Sequence, residues 1–119
     1  MADKTRIIEI YEKEGTFSYV LRKFTGAKQE YNYDDMALLR KLLSNEKARI
    51  LNVIKIQKPT SIYALAKFLG RDFKSVRDDI IILKKFGFVE LIEEKNKTGQ
   101  RISHKPVITA NTINIIIRL

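Results

Sequence analysis

Five polar side chains in the middle of this sequence are the ones best suited to bind a polyanion. Arg77 has a guanidinium that can donate two parallel hydrogen bonds to guanine, and Ser75 is an adaptable hydrogen-bonding group. Arg71 and Lys74 have positive charges suited to phosphates, which position a protein without reading sequence. Asp78 departs from this pattern, because a carboxylate repels phosphates unless it orients Arg77 or accepts from N4 of cytosine. Alternatively, Arg77 is a solvated residue paired with an acid.

A second polar and basic set lies further along the chain. It consists of Lys95, Lys97, Gln100 and Arg101, around the turn-forming residues 96–99. At the tip of a hairpin these side chains would follow a DNA backbone or enter the neighbouring minor groove. A soluble lysine-rich turn would have the same composition, so both interpretations stay open.

The first set requires a helix, which the sequence predicts from about Phe73 to Phe86. Val76, Ile80 and Leu83 recur at helical spacing and form its apolar face, and Asp72 is a suitable N-cap. Such a helix is about 21 Å long, and its solvent face fits a major groove about 12 Å wide. We expect the neighbouring Asp79 to brace the fold or the side chain of Arg77.

Two shorter helices are predicted before this one. The first extends over Asn45–Ile56 and is stopped by Pro59, which cannot continue a helix. The second begins at Thr60 or Ser61 and ends at Gly70, a residue suited to the left-handed position after a helix. A three-residue turn then joins the second helix to the third.

Strands are predicted after the helices. Residues 88–92 and 101–109 are β-prone and are separated by a turn, which indicates a hairpin. Residues 112–119 contain four isoleucines and predict a mostly buried strand. The sequence therefore predicts an α+β fold.

The N-terminal segment is less regular. The β-branched residues of Thr5–Tyr11 favour a strand that pairs with the C-terminal strand, although their spacing also fits a helix. Short helices are predicted over Thr16–Phe24 and over Asp34–Leu43, the latter capped by Asp34. We therefore expect an N-terminal extension over residues 1–43, available for dimerisation or partner contact, and a domain over residues 44–119.

One motif gives this chain a family resemblance. It is the spacing Leu65-Ala66, Leu69-Gly70 and Val76, followed by Ile80, Leu83, Gly87 and Val89. This spacing resembles winged helix-turn-helix regulators of the MarR-like and ArsR-like type, and residues 34–109 are similar to a subgroup of archaeal and bacterial DNA-binding regulators. The resemblance implies a winged helix-turn-helix domain, with a three-helix core and a β-hairpin wing, that binds double-stranded DNA.

Charge and composition bear on the class of partner. Residues 1–43 have eight basic and seven acidic side chains, a net of +1, whereas residues 44–119 have fifteen and seven, a net of +8. A basic excess confined to one part of a small protein is expected for a polyanion partner, although a merely soluble surface can have the same charge. There is no cysteine and a single histidine, His104, and no acid/base pair, phosphate loop or metal-ligand spacing. We therefore expect no enzymatic activity, no metal and no cofactor.

Location and function follow as expectations. No apolar stretch approaches the about 20 residues that span a bilayer, and the N-terminus lacks the order of a signal peptide, so we expect a cytoplasmic protein that does not bind membranes. We expect a sequence-specific DNA-binding regulator acting as a homodimer. The alternatives are a winged helix that binds a protein partner, in the manner of an antitoxin or a transcription-complex subunit, and a chromatin protein that binds DNA of any sequence.

Overall fold

The computed structural model has an α+β architecture, as the sequence predicts, and it describes residues 5–22, 28–31, 36–95, 99 and 102–119. Four helices and six strands form in this part of the chain. In chain order they are β1 (Thr5–Lys13), β2 (Thr16–Arg22), β3 (Lys28–Tyr31), α1 (Met36–Leu42), α2 (Asn45–Gln57), α3 (Ile62–Leu69), α4 (Phe73–Lys85), β4 (Val89–Lys95), β5 (Ile102–Ile108) and β6 (Thr112–Arg118).

The chain divides into two compact units. Unit 1 comprises Met1–Leu43 and Ala110–Leu119, and unit 2 comprises Ser44–Thr109. Unit 1 contains α1 and a four-stranded sheet in the order β3-β2-β1-β6, whereas unit 2 contains α2, α3, α4 and the β4-β5 hairpin. The C-terminal strand, which we predict to belong to a domain over residues 44–119, lies in unit 1 because its pairing partner is β1.

A tight turn shapes the start of unit 1. Glu14 and Gly15 both have positive φ, 54° and 82°, so the chain reverses within two residues and Lys13 pairs with Thr16. Turns with two positive φ angles match the twist of an antiparallel hairpin. The predicted helix over Thr16–Phe24 is therefore wrong in its described part, which is strand β2. The predicted helix over Asp34–Leu43 is present as α1, while Asp34 itself lies outside the described residues.

The two ends of the described chain meet in the sheet of unit 1. The predicted N-terminal strand is confirmed as β1, which pairs in parallel with β6 so that Ile8 lies opposite Ile115. Nε of Arg118 donates to Oε2 of Glu9 at 3.2 Å across the same strand pair. The prediction that the C-terminal strand is mostly buried is wrong: Ile115 is 39% exposed and Ile117 60%, because β6 lies at the end of the sheet with β1 on one side.

The helices of unit 2 begin where short polar residues can cap them. Ser44, Ser61 and Asp72 are the N-caps of α2, α3 and α4, and each side chain accepts a hydrogen bond from a backbone N–H three residues further on, at 3.2, 3.0 and 2.9 Å. These bonds satisfy donors that a helix start leaves without a partner. Within the described residues, no helix is both long and apolar enough to cross a membrane.

The core of unit 2 lies between the three helices and the base of the hairpin. Thr109 ties the hairpin to the chain that follows α4, since its N–H donates to O of Phe88 at 3.0 Å and its hydroxyl to O of Gly87 at 2.7 Å. Burial of each large apolar side chain stabilises the fold by about 1.5–3 kcal/mol. The largest fully buried side chains described in this unit are Ile50, Leu65, Val76, Ile80, Leu83, Phe86, Val89 and Pro106.

Candidate nucleic-acid interface

The two sides of α4 differ sharply in burial. Val76 and Ile80 are completely buried, and the helical repeat of 3.6 residues places them on one face. Lys74, Arg77 and Asp78 point away from this face and are exposed. The apolar residues therefore orient the helix so that two cations and one carboxylate near its start face solvent.

The start of α4 is set by the turn that precedes it. Gly70 ends α3 with a φ of 66°, a left-handed conformation that glycine adopts without a steric penalty. The N–H of Gly70 donates to O of Lys67 at 3.2 Å, and that of Arg71 to O of Ala66 at 3.1 Å. Asp72 then caps α4, so a turn of three residues connects the two helices.

Arg71 folds back over the first turns of α4. Its Nη2 atom donates to Oγ of Ser75 at 2.6 Å and to Oδ2 of Asp79 at 2.9 Å. The side chain of Arg71 is 25% exposed and that of Asp79 is 18% exposed. A charge-assisted hydrogen bond between partly buried groups is stronger than a pair on the open surface. The guanidinium is therefore held in place beside the helix start.

Asp79 also joins the start of α4 to α2. Its Oδ1 atom lies 3.4 Å from Nζ of Lys47, whose side chain is only 7% exposed. One carboxylate therefore pairs with two cations, one from α2 and one from the turn. The sequence predicts that Asp79 braces the fold or Arg77; its ion pairs are with Lys47 and Arg71. No local pattern indicated Lys47, because its partner lies 32 positions away and is brought near only by helix packing.

The five predicted residues of the first set thus lie together in the turn and the first two turns of α4, but in two different states. Arg71 and Ser75 are half-buried and bonded to each other, whereas Lys74, Arg77 and Asp78 are exposed. The exposed cations can donate hydrogen bonds to anionic oxygens or to base edges, and the exposed carboxylate can accept one.

The second predicted set is described only at one member. Lys95 is exposed at the end of β4, whereas Lys97, Gln100 and Arg101 lie outside the described residues. The strand that leads to this tip is acidic. It includes three exposed glutamates, of which Glu93 has its Oε1 atom 3.6 Å from Nε2 of His104 on β5. They are Glu90, Glu93 and Glu94.

The charge of unit 2 favours an anionic partner. Residues 44–109 include fourteen Lys and Arg against seven Asp and Glu, a net of +7. Of the fourteen cations, Lys47 and Arg71 pair with Asp79. Lys74 and Arg77 lie on the exposed side of α4, together with Asp78. In the part of the chain that the structure describes, no three His, Asp or Glu side chains are grouped so that they could hold a metal ion.

Comparison with known proteins connects this unit to a family. No curated protein matches the chain. The model of the HVO_A0114 family matches residues 42–115, which include the whole of unit 2 and thus α4, the three-residue turn and the β4-β5 hairpin. The match extends over 74 of the 119 residues, and the chain therefore belongs to the HVO_A0114 family.

Proposed function

We propose that this chain is a transcriptional regulator that binds double-stranded DNA in a sequence-specific manner, with unit 2 as a winged helix-turn-helix domain. The observation that carries the proposal is the pair of exposed cations, Lys74 and Arg77, near the start of α4. This start follows α3 after a three-residue turn, and an antiparallel hairpin comes after α4. In this arrangement α3 and α4 are the helix-turn-helix, and the hairpin is the wing.

In the proposed complex, α4 enters the major groove. Its 13 residues, about 20 Å, fit a groove about 12 Å wide. Arg77 contacts the edge of a guanine through two of its guanidinium nitrogens, and Lys74 contacts a phosphate. Arg71 adds a positive charge beside them, and its bonds to Ser75 and Asp79 hold that charge near the phosphates.

The regulator acts in the cytoplasm as a homodimer. Two-fold symmetry would present two copies of α4 to half-sites about 34 Å apart, one turn of DNA, and the preferred site would be palindromic. The tip of the hairpin, with Lys95, Lys97, Gln100 and Arg101, would contact the backbone or the neighbouring minor groove.

The first experiment is selection of bound fragments from a random DNA pool at near-physiological salt. The selected duplex is then titrated against a scrambled duplex of equal length. We expect a palindromic motif that binds about 10³-fold or more tightly than the scrambled control. Binding that ignores sequence and falls steeply with salt would identify a general chromatin protein instead. Absence of binding to any duplex would contradict both DNA functions.

A second candidate function is the binding of a protein partner through unit 2. The observation that favours it is a group of large apolar side chains that are exposed on α3 and α4. Exposed aromatic residues are common where proteins bind one another. Affinity purification from native cells tests it, because a DNA-only function predicts no stoichiometric protein partner. The group comprises Tyr63 (59%), Phe68 (51%), Phe73 (45%) and Ile81 (45%).

A further inference from the structure

The two edge strands of the unit 1 sheet differ in how they are protected against pairing with another strand. Natural edge strands are commonly short or carry charges and prolines, because an unpaired edge invites another strand. The β3 edge is four residues long and includes Lys28 and Glu30. The β6 edge is seven residues long and includes one charge, Arg118, whose Nε atom lies 3.2 Å from the buried Glu9. In the described sheet, β6 is therefore the edge that lacks the usual protection.

The side chains of β6 extend the apolar face of β1 to this edge. Paired residues of neighbouring strands share a face, so Ile115 and Ile117 lie on the same face as Ile8 and Ile10. On β1 these residues are 0% and 7% exposed, but on β6 they are 39% and 60% exposed. In the described strands, the apolar layer thus ends at β6, which pairs with β1 on one side and with no described strand on the other.

We propose that a second copy of this chain covers this edge, with β6 of the two copies paired antiparallel about a two-fold axis at Ile115. Ile115 is the midpoint of the strand, so this register pairs all seven residues, Thr112 to Arg118, with their counterparts. Ile113 then faces Ile117 of the partner subunit, and Ile115 faces its own copy. Both apolar contacts lie on the face that is buried on β1, and one eight-stranded sheet extends across the dimer.

Charge favours a second copy as the occupant, because unit 1 is nearly neutral. Residues 1–43 and 110–119 have nine Lys and Arg against seven Asp and Glu, a net of +2, whereas unit 2 has a net of +7. Like charges oppose association, so two copies meet at least cost through unit 1. The charge of Arg118, the one ionised side chain of the strand, is balanced by Glu9 within each copy.

The expected affinity is modest. Stable interfaces bury about 800 Å² on each partner, and pairing of one seven-residue strand buries less, so we expect a dissociation constant in the micromolar range. The inference names the interface of the homodimer in the proposed function. It does not depend on DNA binding, and it can fail or hold independently of it.

Light scattering at about 100 μM provides the first test. The wild-type chain should have about twice the monomer mass of 13.9 kDa, and Ile115→Lys, which places two cations against each other on the axis, should have the monomer mass. Phe17→Lys is the matched control: Phe17 is 43% exposed in β2 and is separated from β6 by β1, so this variant should stay dimeric. A monomeric wild-type chain, or a dimeric Ile115→Lys variant, would overturn the proposal.

Cysteine cross-linking tests the register without a destabilising charge. The chain has no cysteine, so a single introduced thiol reports on its own copy alone. Residues directly opposite in an antiparallel pair have Cα atoms about 4.5–5.5 Å apart, within the range of a disulfide. Ile115→Cys should form a covalent dimer on mild oxidation, and Thr112→Cys, which faces Arg118 of the partner subunit, should not. Equal cross-linking of the two variants would contradict this register.

Binding to a single DNA half-site tests the two proposals, the DNA function and the dimer interface, separately. If the monomeric Ile115→Lys variant binds a single half-site as wild type does, both proposals hold. If the wild-type chain is dimeric but binds no duplex, the DNA function fails and the interface stands.

Discussion

Arg71 and Asp79 are joined by a 2.9 Å hydrogen bond from Nη2 to Oδ2, although eight positions separate them. The other carboxylate oxygen of Asp79 lies 3.4 Å from Nζ of Lys47 on α2. The start of α4 is thereby tied both to the turn before it and to a neighbouring helix. In the proposed function this pairing fixes the base of the DNA-reading surface without itself being exposed on it.

Replacing Asp79 should destabilise unit 2. Asp79→Ala leaves the buried ammonium of Lys47 without its opposite charge, which we expect to lower the free energy of unfolding by about 2–3 kcal/mol. Asp78→Ala removes the same charge from the next position, where the side chain is exposed, and should change stability by about 0.5 kcal/mol or less. Urea denaturation measures the change in the free energy of unfolding for both variants, provided that the m-value stays the same. Equal shifts in the two variants would rule out a bracing role for Asp79.

Two alanine variants should distinguish a contact to a base from a contact to a phosphate. Arg77→Ala should lower the affinity for the selected site by about 1–3 kcal/mol and relax its sequence preference. Lys97→Ala, at the proposed tip of the wing, should weaken binding to every duplex and reduce the slope of log K against log salt by about 1. Titrations with selected and scrambled duplexes at several salt concentrations distinguish them. If both variants lower both affinities equally, Arg77 does not read bases.

Asp78 is expected to oppose non-specific binding. Its carboxylate lies on the exposed side of α4 beside Lys74 and Arg77, where it would face phosphates. Asp78→Asn should therefore strengthen binding to scrambled DNA by about 1 kcal/mol, or about fivefold, with a smaller effect at high salt. A weaker affinity of this variant for the scrambled duplex would show that repulsion is not the role of Asp78.

We expect glycine to be required at position 70 only because of its backbone conformation. Apart from Gly70 and its two neighbours in the chain, no heavy atom lies within 4 Å of the position where a Cβ would stand, so a side chain has space, but φ is 66°. We expect Gly70→Ala to lower the free energy of unfolding by about 1–2 kcal/mol and Gly70→Asn to lower it less, because asparagine tolerates the left-handed region. Thermal unfolding of the three proteins gives the order. An alanine variant as stable as wild type would contradict the argument.

Local signals explain how much of unit 2 could be predicted from the sequence. The helices α2, α3 and α4 are predicted to within about two residues at each end, because caps and apolar spacing depend on residues that are close together in the sequence. The five polar residues of the proposed interface were likewise placed on one short segment. The bond of Arg71 to Asp79 was missed, because it depends on how the side chain folds back across the turn.

Unit 1 was harder to predict, since its structure depends on distant pairing. Residues 16–22 contain aromatic and β-branched side chains that fit either a strand or a short helix, and the turn at Gly15 decides between them. The exposure of Ile117 could not be inferred from the composition of β6, because an isoleucine-rich strand is buried at the centre of a sheet and exposed at its edge.

The parallel pairing of β1 with β6 makes unit 2 an insertion within unit 1. Arg118 meets Glu9 across 109 positions, so the sheet of unit 1 gains its last strand only after all of unit 2 has left the ribosome. The pairing of β4 with β5 and the packing of α3 on α2 and α4 lie within residues 44–109, so unit 2 can fold first. We therefore expect two kinetic phases on refolding, with the early one belonging to the inserted unit and the late one to the strand that joins the two ends of the chain.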